Sequence, residues 1–262
     1  MAGASAPDEL CRLRETIENI QAFQFDSPKS PLPLGIAEAD ATLGGGLAYG
    51  ALHELSPAGP IDLGAACGFA LALGVLAAKA QRNAKAGRDL LWIQTDFAAL
   101  EGGALYAPGF ELFGLPAHRL LVLRTARAAD VLFAMEEALK CRGLASVIAE
   151  MPDDGASLTA TRRLSLAAQA GDGFGVLLRH RTDAQPSAAM TRWAVKARAG
   201  PRDAFGGLGA TCFELSLVKN RHGPCGRWSF AWNHHERVFE SAADPVAMAA
   251  PASGRPADAA IA

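Results

Sequence analysis

The sequence predicts an α/β protein: a mostly parallel sheet flanked by helices, with a C-terminal antiparallel hairpin extending the sheet. Three observations carry that expectation. Short apolar runs such as LLWIQT (90–95), LLVLR (120–124) and SVIAE (146–150) read as strands buried on both faces. Longer helical stretches separate them, the alternation of a sheet with crossover helices. Two β-rich runs then flank NRHGPCG (220–226), whose two glycines and proline make a turn.

Residues 8–25 come first. Leu10, Leu13, Ile17 and Ile20 recur at helical spacing with charges between them, which predicts an amphipathic helix with one apolar stripe. That stripe must be buried on its own domain, on a partner or on a second copy. Residues 27–33 (SPKSPLP) carry three prolines and break the helix. The expected organisation is therefore an appended helix and linker over residues 1–30, a core over 31–240, and a tail over 241–262.

Within the core, residues 50–55 (GALHEL) read as a strand, 56–64 as a loop, and 65–81 as a buried helix. Strands follow at 90–95 and 120–124, a helix at 130–141, and a strand at 146–150. A helix at 157–170 has Ser157 or Thr159 as its N-cap, and 176–179 is a fifth strand. The hairpin pairs 211–219 with 227–232. The tail holds ten alanines and three prolines in 22 residues, a composition expected to stay disordered because it buries too little surface to offset chain entropy.

Composition narrows the function. Half of the 262 residues are hydrophobic and 20% are charged, which excludes a coiled coil or a wholly disordered chain. The five cysteines stand singly, with no C-x-x-C pair, so no zinc framework is expected. Residues 1–10 lack the basic and apolar regions of a signal peptide, and the most apolar run, 65–78, is shorter than the ~20 residues a bilayer needs. No membrane partner and a cytoplasmic location are expected. The formal charge of −2 conceals a split: residues 1–178 carry 14 Lys/Arg against 20 Asp/Glu, whereas residues 179–238 carry 10 against 4. Such a split marks a nucleic-acid face, an acidic partner, or simply a solvated surface.

The segment between the first strand and the buried helix lies where an α/β nucleotide-binding domain places its phosphate loop. Such a loop needs converging backbone N–H groups, a lysine for the β/γ oxygens, and a Ser or Thr hydroxyl for magnesium. Residues 56–69 (SPAGPIDLGAACGF) contain no lysine. Pro57 and Pro60 lack N–H groups, and Asp62 brings a negative charge toward the would-be anion. Ser56, Gly59, Asp62, Gly64 and Cys67 thus outline a degenerate loop. The missing lysine alone removes a charge-assisted bond worth about 1.5–3 kcal/mol, so tight ATP binding is not expected, and no cofactor or metal is assigned. Asp96 and Glu150, at the carboxyl ends of two strands, are the remaining acidic candidates. The six histidines show no zinc or triad spacing, and no G-x-S-x-G elbow occurs.

These residues resemble a known family. The stretch from Leu34-Gly35-Ile36 through GGGLAYG (44–50) to His53-Glu54-Leu55 resembles the approach to the ATPase core of RecA-type recombinases. LLWIQTD (90–96), SVIAE (146–150) and LVKNRHGPCG (217–226) follow in that family's order. More closely, the chain resembles the ImuA proteins, RecA-like accessory factors of bacterial translesion synthesis that are related to the division inhibitor SulA. The resemblance spans about residues 34–239, with the KNRHG turn (219–223) its most telling motif. It implies a RecA-like fold, Asp96 and Glu150 near the recombinase catalytic and magnesium carboxylates, and no counterpart of the phosphate-loop Lys and Thr. The stretches corresponding to the DNA loops, acidic 151–158 and short 182–191, imply that strand exchange is lost. It further implies a non-catalytic adaptor in SOS-induced mutagenesis, whose partners are an ImuB-like inactive Y-family polymerase, an error-prone C-family polymerase, and in addition RecA or a second copy. Leu10, Leu13, Ile17 and Ile20 are the expected partner-binding stripe. Arg192, Trp193, Lys196, Arg198, Lys219 and Arg221 mix cations with an indole, a combination suited to single-stranded DNA. A SulA-like inhibitor and a divergent RecA-like ATPase are the rival readings.

Overall fold

The computed structural model describes residues 31–80, 89–151, 155–181, 185–200 and 209–242. The expected amphipathic helix, with Leu10, Leu13, Ile17 and Ile20, and the tail beyond Ala242 lie outside the described residues.

Nine strands form one sheet in the order β3-β2-β4-β5-β1-β6-β7-β8-β9. They are β1 (Ala51–Pro57), β2 (Asp89–Thr95), β3 (Leu120–Thr125), β4 (Leu144–Met151), β5 (Phe174–Arg179), β6 (Thr191–Arg198), β7 (Thr211–Asn220), β8 (Gly226–Asn233) and β9 (Val238–Ser241). The first six in space, from β3 to β6, run parallel, and β7 to β9 continue antiparallel. The expected hairpin is β7–β8, joined to the parallel sheet through β6. Strand β6, not among the strands expected from sequence, carries four of the residues expected to suit single-stranded DNA: Arg192, Trp193, Lys196 and Arg198.

The helices are α1 (Ala37–Thr42), α2 (Leu63–Ala80), α3 (Asp96–Gly102), α4 (Ala107–Phe113), α5 (Ala128–Leu139) and α6 (Leu158–Gly171). Helix α2 is apolar nearly all round because it lies between one sheet face and the chain that covers it. The apolar span Pro60–Ala80 is long enough to cross a membrane, yet 67% of its most apolar 18-residue window is buried inside the fold. On the face that carries α2, one core cluster gathers Leu55, Val176, Leu178, Trp193, Val195, Phe213 and Phe230 from five strands. The other face is covered by α5 and α6 through Val131, Met135, Leu139 and Leu164 over Leu52, Ile93, Val147 and Leu177. Of the two expected N-caps for α6, Ser157 is the one used: its Oγ accepts the Ala160 N–H at 3.3 Å. Helix α6 ends on Asp172 in the left-handed conformation, and Gly171 lets it close on α5. A Cβ there would meet the Leu139 carbonyl oxygen at 2.2 Å.

Candidate functional site

Parallel α/β sheets bind ligands beyond the carboxyl ends of their strands, so the site is built from the chain following β1, β2, β4 and β5. Strand β1 runs two residues further than its apolar pattern, through Ser56 and Pro57, because its neighbour β6 offers a backbone to hold it. Ser56 Oγ donates to the Trp193 carbonyl (3.3 Å), and the Ala58 N–H donates to the Val195 carbonyl (2.7 Å). A short 3-10 turn, Pro60–Asp62, then leads into α2. Its Asp62 is buried, and Oδ1 accepts the Ala197 N–H of β6 at 2.9 Å. Gly59 caps that turn, and the Asp62 N–H closes it on the Gly59 carbonyl (3.0 Å). Gly64 is exposed on the first turn of α2, and Cys67 follows one turn later. Burial, with the Glu150 charge adding to it, pushes the Cys67 thiol up to about 12, so it stays protonated and is no nucleophile.

Glu150 ends deep rather than in the open. Its Oε1 accepts the Trp92 indole N–H and its Oε2 lies 3.3 Å from His180 Nε2. The carboxylate is 6% exposed, and both oxygens are engaged by protein groups. Asp96, by contrast, is exposed at the first position of α3, where Thr95 caps the helix by accepting the Ala98 N–H (3.0 Å). Among the described residues, no three His, Cys, Asp or Glu side chains gather as a metal site.

The cations expected to hold DNA are distributed differently. Trp193 is fully buried under β6, tilted against Phe69 and 5.9 Å from Trp228, and its indole N–H donates to Thr191 Oγ1. It offers no surface to a base, which corrects that part of the expectation. The alternation of β6 explains why: Trp193 and Val195 point into the core with Thr191, leaving Arg192 and Lys196 on the other face. Lys196 pairs with Glu214 on β7 at 3.3 Å. Arg198, at the end of β6, lines a trough with Arg227, Trp228 and Glu240. Arg192, Lys219 and Arg221 are brought together. Burial and the Arg192 charge push the Lys219 ammonium below its ordinary range, with Arg221 adding to the effect, while Glu54 opposes it.

The centre of that group is a residue whose role the sequence did not disclose. Glu54, in the middle of β1, is fully buried. Its Oε1 accepts from Arg179 Nη2 (3.0 Å) and Ser187 Oγ (2.7 Å), and its Oε2 accepts from Arg192 Nε (2.8 Å). Arg179 also donates to the Ala156 carbonyl (2.9 Å), and Lys219 Nζ donates to the Ser187 carbonyl (2.6 Å). One carboxylate thus fixes the chain after β4, the chain after β5, and strand β6 to β1. A glutamate amid the apolar residues of a parallel strand was the available signal, since such a charge requires a partner.

The comparisons agree with this architecture. A crystal structure of the RadB recombinase superposes with a TM-score of 0.53 over 81% of this chain and all of that one, at 17% identity. The fold is therefore that of a RecA-like recombinase core. No family model matches the sequence. Protein ImuA of Caulobacter vibrioides, in two strains, is 32% identical over 214 residues, 77% of this chain and 83% of the relative. The chain belongs to the ImuA family. A cell division inhibitor SulA from Edwardsiella piscicida is 40% identical over 67 residues, a quarter of this chain and 38% of that protein.

Proposed function

We propose that this ImuA-family protein is a cytoplasmic, non-catalytic adaptor of damage-induced translesion synthesis, a RecA-like body that works by protein contacts and not by ATP hydrolysis. One observation carries the reading. At the phosphate-loop position, residues 56–69 contain no Lys or Arg, and the loop's anionic side chain, Asp62, is buried on the Ala197 N–H. Glu150, which the resemblance sets near the recombinase magnesium carboxylate, is committed to Trp92 and His180. A triphosphate would meet a negative charge where it needs a positive one.

Equilibrium binding of labelled ATP with magnesium tests this. No saturable binding below about 1 mM is expected, given the loss of the lysine and metal contacts. Micromolar affinity that responds to Glu150→Gln would establish the ATPase reading instead. The partners proposed are an ImuB-like inactive Y-family polymerase, through it an error-prone C-family polymerase, and RecA, with Leu10, Leu13, Ile17 and Ile20 as the docking stripe. Capture of purified ImuB-like protein by the full chain and by a tail-deleted chain is the expected result, and failure of both sinks the adaptor reading. Any effect on RecA filaments should vanish in Ile17→Asp with Ile20→Asp. The partial SulA similarity favours a second reading, inhibition of division. Overproduction that filaments cells without altering mutation frequency would select it.

A further inference from the structure

Strand β3 ends the sheet, and among the described residues no chain pairs with its outer edge. Natural sheets guard such an edge with lysine, proline, a bulge or brevity. The opposite edge follows that rule: β9 is four residues long and ends in Glu240 and Ser241, both exposed. Strand β3 does not. Its six residues, LLVLRT, pair with β2 without a register shift and contain no proline. Leu121, Val122 and Leu123 are 45%, 47% and 39% exposed. Leu121 and Leu123 stand on the face of α5, opposite Leu91 and Ile93, and Val122 stands on the face of α2, opposite Trp92. The edge is therefore apolar above and below.

We infer that β3 is a self-pairing edge: two copies join β3 to β3 antiparallel about a two-fold axis at Val122, making one continuous sheet of eighteen strands. The strand's own sequence selects this occupant. In an antiparallel pair, directly opposed side chains share a face. Centring on Val122 sets Val122 against its copy, and Leu121 against Leu123 on both sides of the axis. Leu120 then faces Arg124, so the one exposed charge of the strand never meets itself. Moving the two-fold axis two residues, to Arg124, slides the strands by four and opposes Arg124 to its own copy, a like-charge contact that disfavours that register. The interface is small, at the low end of what holds two proteins together, so the dimer forms reversibly with concentration. It needs none of residues 1–30, which separates it from the stripe assigned to other partners.

Sedimentation velocity of the full chain from about 1 to about 200 μM tests the inference, the range in which an interface of this class associates. A shift from monomer to dimer is expected. Leu121→Lys with Leu123→Lys, at exposed positions that leave the core intact, should raise the midpoint at least ~10-fold. A second readout is covalent. In a chain whose Cys11, Cys141 and Cys225 are serine, Val122→Cys should oxidise to a disulfide-linked dimer. Leu120→Cys should not, because the two copies of residue 120 stand ~13 Å apart along the strands. A chain that stays monomeric throughout overturns the inference. A dimer unaffected by the lysines, or one linked through Leu120→Cys and not Val122→Cys, overturns it equally.

Discussion

Two buried side chains set how this protein responds to substitution and to acid. Glu54 has no exposed surface and satisfies two arginines and a serine, so its removal strands Arg179, itself 3% exposed, without a counter-charge. Breaking a buried pair of this kind from one side costs about 3–5 kcal/mol. Glu54→Gln should therefore lower the denaturant midpoint at unchanged slope, read by urea unfolding, with a loss larger than any single surface exchange produces. His53 lies one residue away and is neutral for a different reason. Its Nε2 donates to the Ala48 carbonyl (2.9 Å) while Nδ1 accepts from the Thr191 hydroxyl (2.8 Å), whose oxygen in turn accepts the Trp193 indole N–H. Burial holds its pKa down to about 4, against 6.5 in the unfolded chain. Between those values the unfolded chain binds a proton that the folded chain refuses. Stability attributable to His53 is thus intact above pH 6.5 and declines as pH falls toward 4, by about 3 kcal/mol in all. Unfolding measured from pH 7 to pH 4 should show that slope, and His53→Gln, which carries no titrating ring, should flatten it.

The fit between elements is closest where α6 meets α5. Gly171 brings the end of α6 against the carbonyl of Leu139 and the backbone of Lys140, neither of which can retreat without moving α5. Gly171→Ala is expected to destabilise by about 1–3 kcal/mol, measured as a fall in thermal midpoint, and the loss should exceed that of the exposed Gly64→Ala, where a Cβ meets nothing. The same elements show what a reader of sequence can and cannot extract. Strands β1, β2, β4 and β5 announce themselves because parallel strands covered on both faces are mostly apolar, whereas β3, just as apolar and expected to be buried on both faces, lies exposed at the edge of the sheet. The hairpin β7–β8 does so through its turn residues. Strand β6 was missed although its pattern is explicit: Thr191, Trp193 and Val195 alternate with Arg192, Ala194 and Lys196, which is the period of a strand with one face in the core. Cations beside a tryptophan suit single-stranded DNA by composition, but the alternation turns the indole into the core. Helices α1, α3 and α4 are six or seven residues long, below the length at which helical periodicity stands out.

For the molecule as a whole, the candidate site was legible by subtraction. The loop without a lysine was visible in residues 56–69, whereas the group that binds the chain ends together, Glu54 with Arg179, Arg192 and Ser187, joins positions up to 138 residues apart and emerges only from the sheet order. The excess of cations after residue 178 has a structural share for the same reason, since Arg179 and Arg192 neutralise a core carboxylate. The loop's wiring also has a consequence for substitution. The Ala58 amide is bonded to Val195, the Asp62 amide to Gly59, and Pro57 and Pro60 have no amide hydrogen to give. A lysine placed at Ala65 or Ala66 would therefore lack the amide hydrogens of residues 57, 58, 60 and 62 around its anion. On the adaptor reading proposed above, a triphosphate grip would need a lysine, amide hydrogens in place of Pro57 and Pro60, and a free Ala58 amide all at once, so single substitutions in this loop should change what the surface holds without creating a nucleotide site.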